Sequence, residues 1–317
     1  MATLTPSQTR VVFMGSPEFA VPTLRALAAA RYRVVLAVSQ PDKPAGRGGK
    51  LHEPPVKTAA RALRIPTFGP ETMRDEAVHD RLAAANADLF VVAAYGKILP
   101  QAVLDIPRKG CVNVHASLLP RWRGASPIAA AIRAGDPLTG VSIMELVRKM
   151  DAGPVISRAE TPILPNDTAG TLEPRLAQLG GRELVRVLPS WLAGELVAEP
   201  QDESLVTTCG ILSRKDGWLT VDTSPEEAAR IVRAYNPWPG CSVEYRGERL
   251  AIWRAHAEAG ETSRPGATSF IEKKPAVALP GGWLVLDEVQ RPGGKRLTGE
   301  QFVAGERGQL APQVGLA

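Results

Sequence analysis

At 317 residues the chain is longer than one small core usually occupies, so two domains are expected. Its 44% hydrophobic and 22% charged residues are ordinary for a globular protein, and no apolar run approaches the ~20 residues that span a bilayer. The net charge of +5 is uneven: 24 Lys+Arg against 16 Asp+Glu over residues 1–194, none against four over 195–212, and 14 against 13 over 213–317, so a strongly basic C-terminal half is excluded.

Residues 11–15 (VVFMG) form a short apolar run ending in glycine, the pattern of a buried parallel strand. Ser16-Pro17-Glu18 then offers an N-cap, a proline for the first helical position and an acid for the first turn. The segment to about Ala30 is apolar at helical spacing. A second strand is predicted over 33–38, followed by a Pro/Gly-rich loop over 40–55 and a helix to about Leu63. Residues 88–94 (DLFVVAA) make a third strand and 111–114 a fourth. A fifth is expected over 141–146, a weaker sixth over 155–159, and a closing helix over 168–193. Strands alternating with helices imply βαβ units, hence an α/β domain with a doubly wound, mostly parallel sheet over 1–194. Residues 195–212 are acidic with little periodicity and read as a linker. Over 213–317 a helical patch at 225–234 precedes short β-like runs at 242–245, 250–253, 276–279 and 283–286, broken by Gly and Pro, which predict a small β-barrel or sandwich.

Gly15-Ser16-Pro17 lacks the second glycine of a dinucleotide fingerprint, which disfavours a nicotinamide enzyme. Three widely spaced cysteines (Cys111, Cys209, Cys241) suit a reducing cytoplasm, and the four histidines have no partners at ligand spacing, so no metal is expected. The N-terminus does not read as a secretory signal. In the loop after the second strand Lys43, Arg47, Lys50 and Lys57 are interrupted by one acid, Glu53; this suits a phosphate-bearing partner, and on charge alone a solvated loop suits it equally.

The fourth strand reads Cys111-Val112-Asn113-Val114-His115. A central parallel strand should be apolar on both faces, yet Asn113 and His115 put an amide and an imidazole on one face at its carboxyl end. That end borders the ligand crevice of an open α/β sheet; a hydrogen-bonded core Asn beside a fraying His is the bland alternative. Asp151 lies in a tight turn, Met150-Asp151-Ala152-Gly153-Pro154, after the fifth strand, and alone it reads as a turn residue.

The run Asn113-Val-His115-Ala-Ser117-Leu-Leu-Pro120-Arg-Trp-Arg-Gly124-Ala-Ser-Pro127, with Asp151-x-Gly153 downstream, resembles the folate-dependent formyltransferases. Gly15-Ser-Pro-Glu-Phe-Ala-Val-Pro22, Gln40-Pro-Asp-Lys-Pro-Ala-Gly-Arg-Gly48, Ala94-Tyr-Gly-Lys-Ile-Leu-Pro100 and Asn236-Pro-Trp-Pro-Gly240 extend the likeness over nearly the whole chain, and the second and fourth of these resemble the members that act on tRNA. The resemblance implies 10-formyltetrahydrofolate as donor and the α-amine of methionyl initiator tRNA as acceptor; a monomer is expected. It implies a catalytic trio of Asn113, His115 and Asp151. It also implies a tetrahydrofolate loop of Ser117, Leu118, Leu119 and Pro120, with Tyr95, Gly96, Lys97, Ile98 and Leu99 on the pocket wall. Arg47, with Lys43 and Lys50, would meet the tRNA acceptor end, and the C-terminal domain would be an OB-like barrel touching tRNA. Two positions depart from the family: Gly49 stands where a lysine is usual in the loop, and Ile211 where many members carry a lysine. The alternatives are a formyltransferase for a small-molecule amine, such as a nucleotide amino sugar, and a non-catalytic folate- or tRNA-binding protein.

Overall fold

Alternation along the first strand decides the layering of the N-terminal unit. In β1 (Arg10–Gly15) Val11 and Phe13 enter one apolar core while Val12 and Met14 enter another, as period-2 geometry requires of a strand covered on both faces. The computed structural model describes residues 5–45, 50–262 and 264–317. After β1 come α1 (Val21–Ala29), β2 (Arg33–Val38), β3 (Lys43–Ala45), β4 (Lys50–His52), α2 (Pro55–Ala62), β5 (Thr67–Phe68), α3 (Glu76–Ala84), β6 (Leu89–Ala93), α4 (Gln101–Leu104) and β7 (Cys111–His115). They are followed by β8 (Arg123–Gly124), α5 (Pro127–Ala134), β9 (Leu138–Glu145), β10 (Val155–Pro162), α6 (Ala169–Ala193) and β11 (Thr208–Cys209). Leu24 and Leu27 of α1, Val56, Ala59 and Ala60 of α2, and Leu184, Val187 and Leu188 of α6 cover the first core. Val78 and Leu82 of α3 and Val103 and Leu104 of α4 cover the second.

The sheet runs in the order β10-β9-β7-β6-β1-β2-β5. From β7 to β5 neighbours are parallel, as the βαβ pattern predicts. At the other edge β9 is antiparallel to β7 and β10 antiparallel to β9. The connection 146–154 is shorter than the dozen or so residues that a parallel crossover needs, so β9 and β10 pair as a hairpin.

Local expectations fail at two places. Ser16 caps no helix: its hydroxyl donates to the Tyr95 carbonyl (3.3 Å) and accepts from the Gln40 N–H (3.0 Å), tying together the loops after β1, β2 and β6. The loop over 40–55 contains an antiparallel ribbon of β3 and β4, whose short, charged strands lack the alternation that reveals strands. Residues 199–207 are hydrogen-bonded to the rest of the unit they belong to: Glu199 pairs with Val155 through both backbone bonds, and the Arg123 N–H donates to Thr207 O at 2.9 Å.

Contacts divide the chain into two compact units, Met1–Gly124 with Leu138–Pro162 and Glu173–Thr208, and Ala125–Pro137 with Ile163–Leu172 and Cys209–Ala317. The second unit holds α7 (Pro225–Ala234), whose Ser224 cap accepts from Glu227 N–H at 3.2 Å, and an antiparallel sheet. Its strands are β12 (Cys241–Tyr245), β13 (Glu248–Ala259), β14 (Thr268–Ile271), β15 (Lys274–Leu279), β16 (Gly282–Gln290) and β17 (Arg296–Thr298), before α8 (Gly299–Gly305). The order β12-β13-β16-β15-β14 leaves β12 and β14 as edges. The C-terminal tail joins them: Gly315 pairs with Glu244 of β12, and Gln313 with Ala267 at the start of β14. That bridge links the two edges of the small barrel and covers part of each.

Candidate active site

Three residues of β7 share the face of the second core: Cys111, Asn113 and His115. Cys111 packs there, and burial pushes its thiol up to about 12, which makes it a core residue and not a nucleophile. Asn113 and His115 follow at 8% and 6% exposure, about 6.6 Å apart along the strand by its rise per residue. Both are buried polar groups at the carboxyl end of β7, the last strand of the parallel run, and the crevice of an α/β sheet lies at that end.

The His115 ring is held by the main chain. Its Nε2 lies 3.0 Å from the Trp122 carbonyl. A carbonyl oxygen only accepts, so Nε2 carries a hydrogen, and Nδ1 is the nitrogen that gains or loses a proton. Nδ1 faces Asp151 Oδ1 at 3.8 Å. The other carboxylate oxygen of Asp151 accepts from the Gly124 N–H at 2.9 Å, which fixes the orientation of the group. Asp151 therefore exceeds the role of an ordinary turn residue, although its φ of +49° places it in the left-handed region that turns favour. Gly153 is required by space: a Cβ there would lie 1.8 Å from the Glu145 carbonyl oxygen. The amide of Gln201 donates to the carbonyls of Asp151 (2.8 Å) and Gly153 (2.7 Å), a bracket across the turn that nothing in local sequence announces.

Between His115 and Gly124 the loop is stiffened by its own polar groups. Ser117, fully buried, donates to Arg121 O at 2.6 Å. Ser142 of β9 donates to Ser117 O (2.7 Å) and accepts from Leu119 N–H (3.0 Å). Arg158 of β10 donates to Leu119 O at 2.8 Å. The Leu119–Pro120 bond is cis, Leu119 is buried, and Leu118 and Pro120 are partly exposed. Ser142 and Arg158 were not foreseen, because their role depends on antiparallel registers that only the fold defines.

Residues 95–99 follow β6 and so also lie at the carboxyl edge. Tyr95 turns its side chain into the second core, where its hydroxyl donates to Met73 Sδ (3.1 Å) and burial pushes its pKa up to about 12. What it offers outward is its carbonyl, which accepts from the Gln40 amide at 3.2 Å. Gly96 has φ +76°, and a Cβ there would lie 2.5 Å from that same amide. Lys97 caps the carbonyls of Pro70 and Glu71; desolvation lowers its pKa, with Glu71 opposing and Lys43 assisting. Ile98 is 86% exposed, while Leu99 is buried.

Arg47 lies outside the described residues. Lys43 donates to Gln40 Oε1 at 2.7 Å, and Lys50 belongs to β4. Lys57 is not free for a phosphate, since it pairs with Asp42 (2.7 Å) and Glu53 (3.5 Å). Among the described residues no group of three or more His, Cys, Asp or Glu side chains could hold a metal, and no helix is long and apolar enough to cross a membrane.

Comparison with known proteins gives the family. Residues 9–188 match the family described as formyl transferase, and residues 211–307 its C-terminal domain. The chain is 47% identical over 297 residues to methionyl-tRNA formyltransferase of Methylobacillus flagellatus, covering 93% of this chain and 96% of the relative. With the same enzyme of Stutzerimonas stutzeri it shares 46% over 308 residues, 97% of this chain and 98% of the relative. In fold it is similar to an N-formyltransferase from Helicobacter canadensis solved with folinic acid and dTDP-3-aminofucose, with a TM-score of 0.66 and 14% identity over 89% of this chain and 99% of that one. The chain belongs to the formyl transferase family, among its methionyl-tRNA formyltransferases.

Proposed function

We propose that the protein transfers the formyl group of 10-formyltetrahydrofolate to the α-amino group of methionyl initiator tRNA, the modification used in translation initiation. It acts as a cytoplasmic monomer, with residues 1–194 catalytic, 195–212 a linker and 213–317 a tRNA-binding domain. The observation that supports this reading is His115 Nδ1 lying 3.8 Å from the Asp151 carboxylate, with Asn113 two residues before His115 on the same face of β7.

The chemistry calls for these groups. When the amine attacks the formyl carbon, negative charge develops on the formyl oxygen. The Asn113 amide, which has no side-chain hydrogen bond to another described residue, is available to donate to it. Such a preorganised donor contributes about 3–4 kcal/mol in acyl transfer. The attacking amine must lose a proton and N10 of the folate must gain one as it leaves. An imidazole is suited to carry a proton between the two, and His115 does so at Nδ1 because Nε2 is held on Trp122 O. The Asp151 carboxylate stabilises the charged ring as the proton passes. No covalent formyl-enzyme is needed.

Ser117, Leu118, Leu119 and Pro120 form the folate loop, and the backbone from Tyr95 through Gly96, Lys97 and Ile98 to Leu99 borders the same crevice. Lys43, Arg47 and Lys50 meet the tRNA acceptor end. Three bases of the barrel are engaged within their own unit: Lys274 by Asp287 (2.9 Å), Arg291 by Glu306, and Arg296 stacked 3.6 Å from the Trp253 ring. This agrees with a modest contribution of the barrel to the tRNA grip. A nucleotide amino sugar is the alternative acceptor; the 14% identity to the Helicobacter enzyme, against 47% to the Methylobacillus one, favours tRNA. The test offers methionyl-tRNA and a dTDP-amino sugar to the protein with 10-formyltetrahydrofolate. Formylation of the tRNA alone is expected, and formylation of the sugar alone would overturn the reading.

A further inference from the structure

We propose that residues 199–207 are a positioning element of the active site, in which Gln201 holds Asp151 and Thr207 holds the peptide that fixes His115. The inference rests on the assignment of that pair to catalysis. Although acidic and aperiodic, the segment is bound at successive points. Glu199 pairs with Val155 at the start of β10. Gln201 brackets the Asp151 turn through one nitrogen, donating to Asp151 O and Gly153 O, while its Oε1 accepts from Arg123 Nε at 2.9 Å. Arg123 is 3% exposed and also donates to Glu203 Oε1 at 2.9 Å, whose other oxygen pairs with Lys149 at 3.0 Å. Finally, Thr207 Oγ1 accepts from Trp122 N–H and Thr207 O from Arg123 N–H, each at 2.9 Å.

These bonds meet at the catalytic pair from two sides. Asp151 has a backbone conformation that costs a non-glycine residue free energy and persists only when its surroundings impose it. The Gln201 amide supplies that constraint from 50 residues away in sequence. The Trp122 carbonyl, which dictates which His115 nitrogen keeps its hydrogen, belongs to a residue whose own N–H is pinned by Thr207. Neither Gln201 nor Thr207 is assigned a contact with the reacting atoms, so both act through others.

Gln201→Met keeps the length and removes both donated bonds; Gln201→Glu keeps the acceptor for Arg123 but turns an oxygen toward two carbonyls. Each is expected to lower kcat at least about tenfold while KM for methionyl-tRNA and for the folate donor stays within about twofold, because displaced catalytic groups cost turnover rather than binding. Thr207→Val removes the acceptor for Trp122 N–H and is expected to displace the pH profile of kcat, a readout that general loosening does not move. Asn113→Ala and Asp151→Ala are measured alongside. If these two are slow and the Gln201 variants keep wild-type kcat, with the Thr207→Val profile superimposing on wild type, the positioning role is overturned alone. If the first two turn over normally, the catalytic assignment fails and the positioning role with it. Should the Gln201 variants not fold, judged by circular dichroism, the Thr207→Val profile decides.

Discussion

Nδ1 of His115 stands 3.8 Å from Oδ1 of Asp151, too far for a direct hydrogen bond and near enough for strong attraction once the ring is charged. With Nε2 committed to the Trp122 carbonyl, Nδ1 is the ring nitrogen turned toward the carboxylate. The carboxylate is itself oriented by the Gly124 N–H, so the pair is set by main-chain groups on both sides.

Gly153→Ala tests how tightly that turn is packed. A Cβ 1.8 Å from the Glu145 carbonyl cannot be accommodated, so the turn must shift. The expected loss is about 1–3 kcal/mol of stability, as for other overpacked sites, measured by denaturant unfolding. Turnover should fall further than the folded fraction, because Gly153 O and Asp151 O share one Gln201 donor.

The parallel strands were legible because β6 is apolar throughout and β1 is apolar after Arg10, and Asn113 and His115 were legible as polar intrusions on β7. Asp151 was not, since a turn aspartate reads alike with or without an imidazole opposite it; only the family resemblance brought it in. Gln201, Thr207 and Ser142 left no mark at all, because their partners lie 23 to 85 residues away and are mostly backbone atoms. The tail that links the barrel's edges escaped for the same reason: residues 311–317 contain no strand pattern and owe their place to the edges they bridge.

Charge removal in the basic loop should act on the acceptor and not on the donor. Arg47→Ala is expected to raise KM for methionyl-tRNA, leave KM for the folate donor unchanged, and reduce the slope of log affinity against log salt by about 1, the value for one phosphate contact. Filter binding across a salt series reads the slope; an unchanged slope removes Arg47 from the interface.

The barrel carries an acid-sensitive pair. Burial raises the Asp287 pKa, but hydrogen bonds from His256 (2.9 Å) and Lys274 (2.9 Å) outweigh it, and the net shift is downward. A depressed carboxylate contributes stability above its unfolded pKa of about 3.9 and loses it as pH falls through the folded value. Asp287→Asn should therefore be less stable than wild type at pH 7, with the difference closing below about pH 4. Thermal melts from pH 3 to 7 measure it, and a pH-independent difference would contradict the sign.

The central claim is that Asn113, His115 and Asp151 carry out formyl transfer, and single-turnover formylation of methionyl-tRNA at saturating 10-formyltetrahydrofolate tests it most directly. Asn113→Ala and Asp151→Ala should each slow the transfer step at least about a hundredfold, the scale for loss of one preorganised donor or a proton-shuttle partner, with folate and tRNA still bound. Near-normal transfer in both variants would contradict the account.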